Sequence, residues 1–355
     1  MALFSFLKPS NKKVTIEPAG VSFEVKPGQS ILEAGLSAGY AMPHSCTVGT
    51  CGTCKCKLSD GRVRELTNFA YVLEAEELQS DIILTCQAAA KSDVTLNIPG
   101  FELKHLTPPE DFKGKIIATE DLTHDTKKVT IALDRPMHFD AGQYVQVHHN
   151  DIYGARSYSF AMPPAEEGCR EIELFIRQVP GGEFTGKLFA NELEQAEVGI
   201  HGPAGNFWLR DGRGPIICVG GGSGLAPIVS LLEHAAKSDH GRPCVMFFGA
   251  RTQDDLYCLE RINQIAEKWD GAFQFVPVLS HEPEDSDWKG LRGFVNTAIE
   301  GAAGQYLSSE TQVYLCGPPP MIDAVTETVL ALGIEEGNIH ADKFLDASHG
   351  ISRQD

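Results

Sequence analysis

The chain has 355 residues, 42% hydrophobic and 22% charged, with a formal net charge of −18. That length exceeds a single core and predicts two or three domains, and the composition is that of an ordinary globular protein. The acidity argues against a nucleic-acid partner, which needs a basic footprint, and no apolar run approaches the ~20 residues of a membrane span.

In chain order, "MALFSFLKPSNKK" has neither a leading charge nor a small-residue cleavage site, and reads as a frayed tail rather than a signal peptide. A cytoplasmic location is therefore expected, with the ten cysteines reduced unless they bind a cofactor. "KKVTIEPAGVSFEVKPGQ" reads as two alternating strands around a turn. "SILEAGLSAGY" reads as a helix capped by Ser30.

Cys46, Cys51 and Cys54 follow as C-x4-C-x2-C, and Cys86 stands alone further on, after the strand-like "DIIL". This is the plant-type ligand spacing for a 2Fe–2S cluster. Gly49 and Gly52 allow the loop to curl its amides toward sulfide. Zinc is the rival, but structural zinc sites usually show two close pairs, whereas three cysteines crowd one loop here. Cys56 reads as a small buried residue. A hairpin, helix, cysteine loop and returning strands over residues 1–98, carrying "PHSCTVGTCGTCKCKL", resemble a plant-type ferredoxin. The resemblance implies a β-grasp domain with Cys46, Cys51, Cys54 and Cys86 as metal ligands. Thr47 departs from the family, which often has a basic residue there.

Residues 99–112, with three prolines in "PGFELKHLTPPEDF", read as a linker. Dense short strands over 113–212 predict a closed antiparallel barrel. In "RSYSF", alternation puts Arg156, Tyr158 and Phe160 on one strand face and Ser157 and Ser159 on the other. A guanidinium there suits a pyrophosphate and an aromatic suits a planar ring. In "PGGEFTGKLF", Gly182 opens a helix expected near Phe184, with Thr185 in its first turn at an anion-favouring end. "HGPAGNF" reads as a turn closing the barrel. In this order, these pieces resemble the flavin domain of the ferredoxin–NADP reductase superfamily. The resemblance implies FAD, with Arg156 on the pyrophosphate, Tyr158 on the isoalloxazine, Ser159 near N5, and Thr185 with its neighbouring amides on phosphate.

Residues 213–345 begin with a buried-strand run, Ile216 to Val219, then the loop Gly221, Gly222, Ser223, Gly224, then Pro227 inside a helix. Strand, glycine loop and helix together place phosphate at a helix N-terminus. The loop is not the usual dehydrogenase fingerprint, but "CVMFFGAR", "FQFVPVLS" and "QVYLCGPPPM" read as further buried strands, so this part reads as a doubly wound α/β domain with a parallel sheet. Its resemblance to the same superfamily implies that it binds a nicotinamide nucleotide. Cys316 and Gly317 fall at a strand C-terminus, where such sheets bind ligands. By resemblance, Cys316 helps to place the nicotinamide ring, and Phe344 in "DKFL" matches a C-terminal aromatic near the flavin. Glu282, Glu284 and Asp285 would repel a 2′-phosphate, which favours NADH, although Arg251 is a counter-argument. Residues 346–355 read as a mobile tail.

Nearly the whole chain resembles the reductase components of multicomponent bacterial oxygenases, above all those of the xylene monooxygenase and phenol hydroxylase types. "GTCGTCK", "RSYSF", "FFGARTQDDLYCLE" and "LCGPPPMIDA" carry the likeness. It implies a monomeric enzyme that takes electrons from NADH through FAD and a 2Fe–2S cluster. The acceptor is a diiron or Rieske oxygenase component, or a separate ferredoxin. A stand-alone flavin diaphorase and a zinc-stabilised nucleotide-binding module are the alternatives.

Overall fold

The structure is a computed structural model and describes residues 10–44, 47–237 and 241–344. The expectations for the N-terminal tail, for Cys46 and for the tail after Phe344 lie outside the described residues. The chain forms two compact units, meeting at Pro109/Glu110.

In the first unit, β1 (Lys12–Glu17) and β2 (Val21–Val25) form the expected hairpin, followed by α1 (Ile31–Ser37). The Glu33 amide donates to Ser30 Oγ at 3.1 Å, satisfying an otherwise unpaired donor of the first turn. Then come β3 (Lys55–Asp60), β4 (Val63–Glu65), α2 (Ala75–Gln79), β5 (Ile82–Leu84), β6 (Ala88–Ala90) and β7 (Val94–Asn97). The mixed sheet runs β2-β1-β7-β3-β5, with β1 and β7 parallel. Alternate residues such as Val14, Ile16, Val94 and Leu96 meet Ile31 and Leu32 of α1 in one core. This is the β-grasp arrangement. The proline-rich segment is tied to this unit rather than running free. Tyr40 bridges His105, the Leu106 amide donates to Gly39 O at 2.8 Å, and Leu106 is buried.

The second unit opens with a barrel: β8 (Glu110–Thr123), β9 (Thr126–Met137), β10 (Tyr144–His149), β11 (Ile152–Ser159), β12 (Cys169–Arg177), α3 (Glu183–Phe189) and β13 (Glu197–Ala204). The antiparallel order is β11-β10-β13-β8-β9-β12, and a bridge between Phe160 and Leu174 joins the two ends. Closure removes the exposed edges. The expected turn at "HGPAGNF" begins later than anticipated, because Gly202 to Ala204 still belong to β13.

The barrel continues into β14 (Ile216–Gly221), α4 (Leu225–Ala235), β15 (Cys244–Ala250), α5 (Leu259–Lys268), β16 (Phe273–Leu279), β17 (Leu291–Arg292), α6 (Val295–Ala303), β18 (Gln312–Gly317), α7 (Pro319–Ala331) and β19 (Ile339–Lys343). The parallel sheet is ordered β17-β16-β15-β14-β18-β19. Successive residues of β14 face opposite layers. Ile216 and Cys218 pack with α4 and α5, while Ile217 and Val219 pack with α6 and α7. Burial on both faces explains its unbroken apolar run. Ala161, Phe175 and Phe207 of the barrel join the first of these clusters, so barrel and sheet share a core.

Candidate functional site

The cysteine loop is held from two sides. The Thr85 amide and hydroxyl both donate to Cys54 O, at 3.2 and 3.3 Å. This brings Cys86 Sγ to 3.2 Å from Cys54 Sγ, with both residues buried. Gln87 Nε2 donates to Thr47 O at 3.4 Å, and the Gln87 side chain covers Gly49, where a Cβ would land 2.6 Å from its Cγ. Thr47, Gly49 and Gly52 all take positive φ, at 58°, 81° and 75°, so the backbone curls around a centre. Cys51 is half-buried. Buried thiols within van der Waals contact on a curled loop fit a thiolate-held iron–sulfur group. Cys56 is different. It sits in the core, and its thiol is pushed up to about 12, first by burial and then by the neighbouring Cys54.

On the barrel, Arg156 and Tyr158 occupy half-buried positions of β11 with exposed Ser157 between them, and Ser159 is buried at the strand end. Arg156 Nη1 donates to Tyr153 O at 2.6 Å and Gly154 O at 2.8 Å, which fixes the guanidinium against the start of its own strand. The Tyr158 ring packs 5.9 Å from that of Phe184, and burial raises its phenol. Gly182 caps α3, and the Thr185 hydroxyl accepts from the Val179 amide at 3.1 Å. A Cβ on Gly182 would lie 2.6 Å from that hydroxyl, so this loop is closed by close packing around Thr185.

A cleft of about 530 Å³ opens at the C-terminal ends of the parallel strands. This is where doubly wound sheets bind nucleotides, beside the point where strand order reverses between β14 and β18. Gly221 and Gly222 line it, as do Arg251 and Ser280 beyond β15 and β16, and Pro318 and Met321 beyond β18. The other residues singled out around the loop lie elsewhere. Gly224 backs onto β18, where a Cβ would meet Cys316 O at 2.3 Å, and a Cβ on Gly317 would meet Gly221 O at 2.8 Å. Pro227 is buried in α4, and Ser223 is half-buried on the loop. Cys316 is fully buried, and burial, with Asp342 second, raises its thiol well above the ordinary range. The Phe344 amide donates to Gly317 O at 2.9 Å, so Phe344 follows β19 to the end of β18. Glu282 accepts from the Gln253 amide and side chain at 2.9 and 2.8 Å, next to Ser280.

Several cleft residues escape a reading of the sequence. Asp125 and Arg177 come from the barrel, and Phe294 is an exposed aromatic from the segment before α6. Tyr257 is buried edge-on against Phe175 and Phe248, and its hydroxyl donates to Gly222 O at 2.8 Å. Tyr257, Phe294 and Arg177 lie in stretches that had drawn notice, "GARTQDDLYCLE", "DSDWKGLRGFV" and the strand "EIELFIRQV", but none of them was singled out for the site.

Three domain families match in succession. Residues 14–91 match the 2Fe-2S iron-sulfur cluster binding domain, 113–208 the oxidoreductase FAD-binding domain, and 218–327 the oxidoreductase NAD-binding domain. The chain is similar to the xylene/toluene monooxygenase electron transfer component XylA of Pseudomonas putida, 38% identical over 340 residues (96% of this chain, 95% of the relative). It is 37% identical over 346 residues to the reductase component DmpP of phenol 2-monooxygenase from Pseudomonas sp. strain CF600 (95% of each chain). Among solved structures, the Amycolatopsis cytochrome P450 reductase GcoB superposes with a TM-score of 0.81 at 34% identity, covering 94% of this chain and 98% of that one. A paired-thiol loop, a closed barrel and a nucleotide cleft thus stand in the same order as these domains, and the chain belongs to the family of FAD- and NAD-binding oxidoreductases with an N-terminal 2Fe–2S ferredoxin domain, the reductase or electron-transfer components of multicomponent oxygenases.

Proposed function

We propose that this chain oxidises NADH and delivers the electrons singly to an oxygenase component, diiron or Rieske, or to a separate ferredoxin. The observation that carries this reading is the joining of a paired-thiol loop to a nucleotide cleft and barrel in one polypeptide. When bound, FAD takes electrons from the nicotinamide as hydride and releases them one at a time to a 2Fe–2S cluster.

The chain's own residues have definite tasks in this scheme. Cys46, Cys51, Cys54 and Cys86 would hold the cluster, the Cys54 and Cys86 thiols already standing 3.2 Å apart. Arg156, fixed by backbone carbonyls, faces the flavin pyrophosphate. Tyr158, a neutral phenol, would stack on the isoalloxazine, and the flanking serines, exposed Ser157 and buried Ser159, would offer hydroxyls to the flavin, Ser159 near N5. Gly182 and Thr185 shape the loop at the start of α3 that would receive phosphate. Gly221 and Gly222 would receive the nicotinamide nucleotide in the cleft, with Ser223 beside them on the loop, while Gly224 lets that loop seat against β18 and Pro227 is buried behind it in α4. Cys316 is a neutral thiol at the end of β18. With Gly317 it would place the nicotinamide ring without acting as a nucleophile, and Phe344, at the end of β18, would lie near the flavin. Glu282 beside Ser280 supports NADH over NADPH, since a carboxylate there repels a 2′-phosphate.

We further infer a monomer that works in the cytoplasm, where reducing conditions keep its ten cysteines available. Among the described residues, no helix is long and apolar enough to cross a membrane. The net charge of −18 supports docking on a basic face of the acceptor. The test is to purify the protein anaerobically, assay iron, acid-labile sulfide and FAD, and titrate with NADH. Bleaching of flavin and cluster absorbance together is expected. A colourless, zinc-containing protein would overturn the scheme, and flavin reduction without iron or sulfide after reconstitution would leave only a diaphorase.

A further inference from the structure

Two arginines from different domains meet on one atom at the lip of the cleft. Asp125 lies in the turn between β8 and β9, and its Oδ2 accepts from Arg177 Nε at 2.9 Å and from Arg251 Nη2 at 3.0 Å. Arg177 ends barrel strand β12, and Arg251 follows β15 of the parallel sheet. The other carboxylate oxygen, Oδ1, accepts from the hydroxyls of Thr123 and Thr126, both at 3.1 Å. Arg251 Nη2 also donates to Asp255 Oδ1 at 3.0 Å, and exposed His124 lies 3.9 Å from Asp125 and 3.8 Å from Asp255. Asp125, Arg177, Arg251 and Asp255 all line the cleft.

Two guanidiniums aimed at one oxygen form the arrangement that binds a phosphate oxygen. Their position suits that ligand. Arg177 reaches over the glycine loop, with its Nη1 3.5 Å from where a Cβ on Gly222 would stand. Asp125 therefore holds the geometry of an anion in a place where a dinucleotide would bring its own. A purely structural ion pair would not need to lie in the cleft. A cation at this cluster is disfavoured, because both guanidiniums already lie against its carboxylates.

We propose that Asp125 is an intramolecular stand-in for a nucleotide phosphate, a tethered anion that competes for Arg177 and Arg251 and is displaced when the dinucleotide enters. This inference rests on the reading of the cleft as the nicotinamide site. A tethered carboxylate keeps the arginines ordered between turnovers, weakens nucleotide binding, and retakes the arginines as the product leaves. It acts through those side chains and is a positioning residue, not a catalytic one.

The test compares the full-length holoprotein with Asp125→Asn, measuring KM for NADH and inhibition by inorganic pyrophosphate competing with NADH. The neutral amide is expected to lower both KM and the pyrophosphate Ki by about fivefold, the scale of one neighbouring charge near a protein surface. Asp125→Glu, which keeps the charge, should bind as the parent does. Asp125→Ser serves if the amide variant loses its flavin, and the same tightening is expected. Unchanged or raised KM and Ki in a flavin-replete neutral variant would overturn the proposal and make Asp125 a simple interdomain tie. Phe294→Ala, outside this charge cluster, should raise KM for NADH several-fold by removing an exposed aromatic surface. If it does not, the cleft assignment itself fails, and this inference with it.

Discussion

Cys54, Cys56 and Cys86 are alike in sequence and in burial, but their surroundings assign them different chemistry. Cys54 and Cys86 are pinned together through Thr85, whereas Cys56 stands on β3, where burial suppresses ionisation of its thiol. Cys86→Ser is expected to abolish the visible absorbance and iron content of the cluster while NADH–ferricyanide activity persists, as measured by spectroscopy and steady-state assay. Loss of the ferricyanide activity together with the cluster would contradict a route in which the cluster follows the flavin. Asp342, paired in register with Cys316, is a second case. Desolvation raises its carboxyl from 3.8 to about 7. The folded-state value lies above the unfolded one, so the folded protein binds the extra proton between those limits. Its contribution is complete below about pH 4, falls as pH rises toward 7, and stays lost above that. Asp342→Asn should remove this slope. The stability gain of the variant over the parent, measured by thermal unfolding at constant flavin loading, grows from pH 4 to pH 7 and then levels off. A gain that shrinks with pH would reject the assignment.

At the scale of elements, the glycines around β14 are an interlock. Gly224 and Gly317 are spaced for backbone against backbone, at Cys316 and Gly221, whereas a methyl on Gly221 would meet the Met321 side chain; an added methyl at Gly224 meets a carbonyl rather than a side chain that can move aside. Gly224→Ala is therefore expected to push the loop from β18, cost about 1–3 kcal/mol of stability, and raise KM for NADH at least as much as kcat falls. Denaturant unfolding and steady-state kinetics check both parts. The elements most legible in the sequence were those with a strong period or cap: the β1–β2 hairpin, the helix capped by Ser30, and the buried runs of β14, β15 and β18. β19 was missed. It is a half-buried edge strand, "IHADK", in which neither alternation nor an apolar run appears. β17 has only two residues and leaves no pattern to read.

For the whole molecule, the surplus of 48 acidic over 30 basic residues sets the long-range field. Electron transfer to a basic protein acceptor such as cytochrome c should slow several-fold as salt rises from about 0.05 to 0.5 M, because attraction between exposed charges is screened. NADH-driven flavin reduction, followed in the same stopped-flow series, should change less. Equal slowing of both steps would place the effect in the nucleotide cleft rather than at the docking face.

The sequence by itself determined the cluster class through cysteine spacing and a phosphate-binding strand–glycine-loop–helix, and its resemblance to known reductases, carried by R-x-Y-S and the other motifs, supplied FAD and the nicotinamide and their order, because all of these are local patterns. Local patterns are dictated by neighbouring residues and need no knowledge of the fold. Only the tertiary structure decided which residues share a site. Thr85 brings the lone Cys86 to Cys54, and barrel closure and the core shared with the sheet carry Asp125 and Arg177 to Arg251. Those meetings depend on strand order and on a core built from distant segments. An aspartate in a hairpin turn and an arginine at a strand end have no spacing between them that would announce a contact.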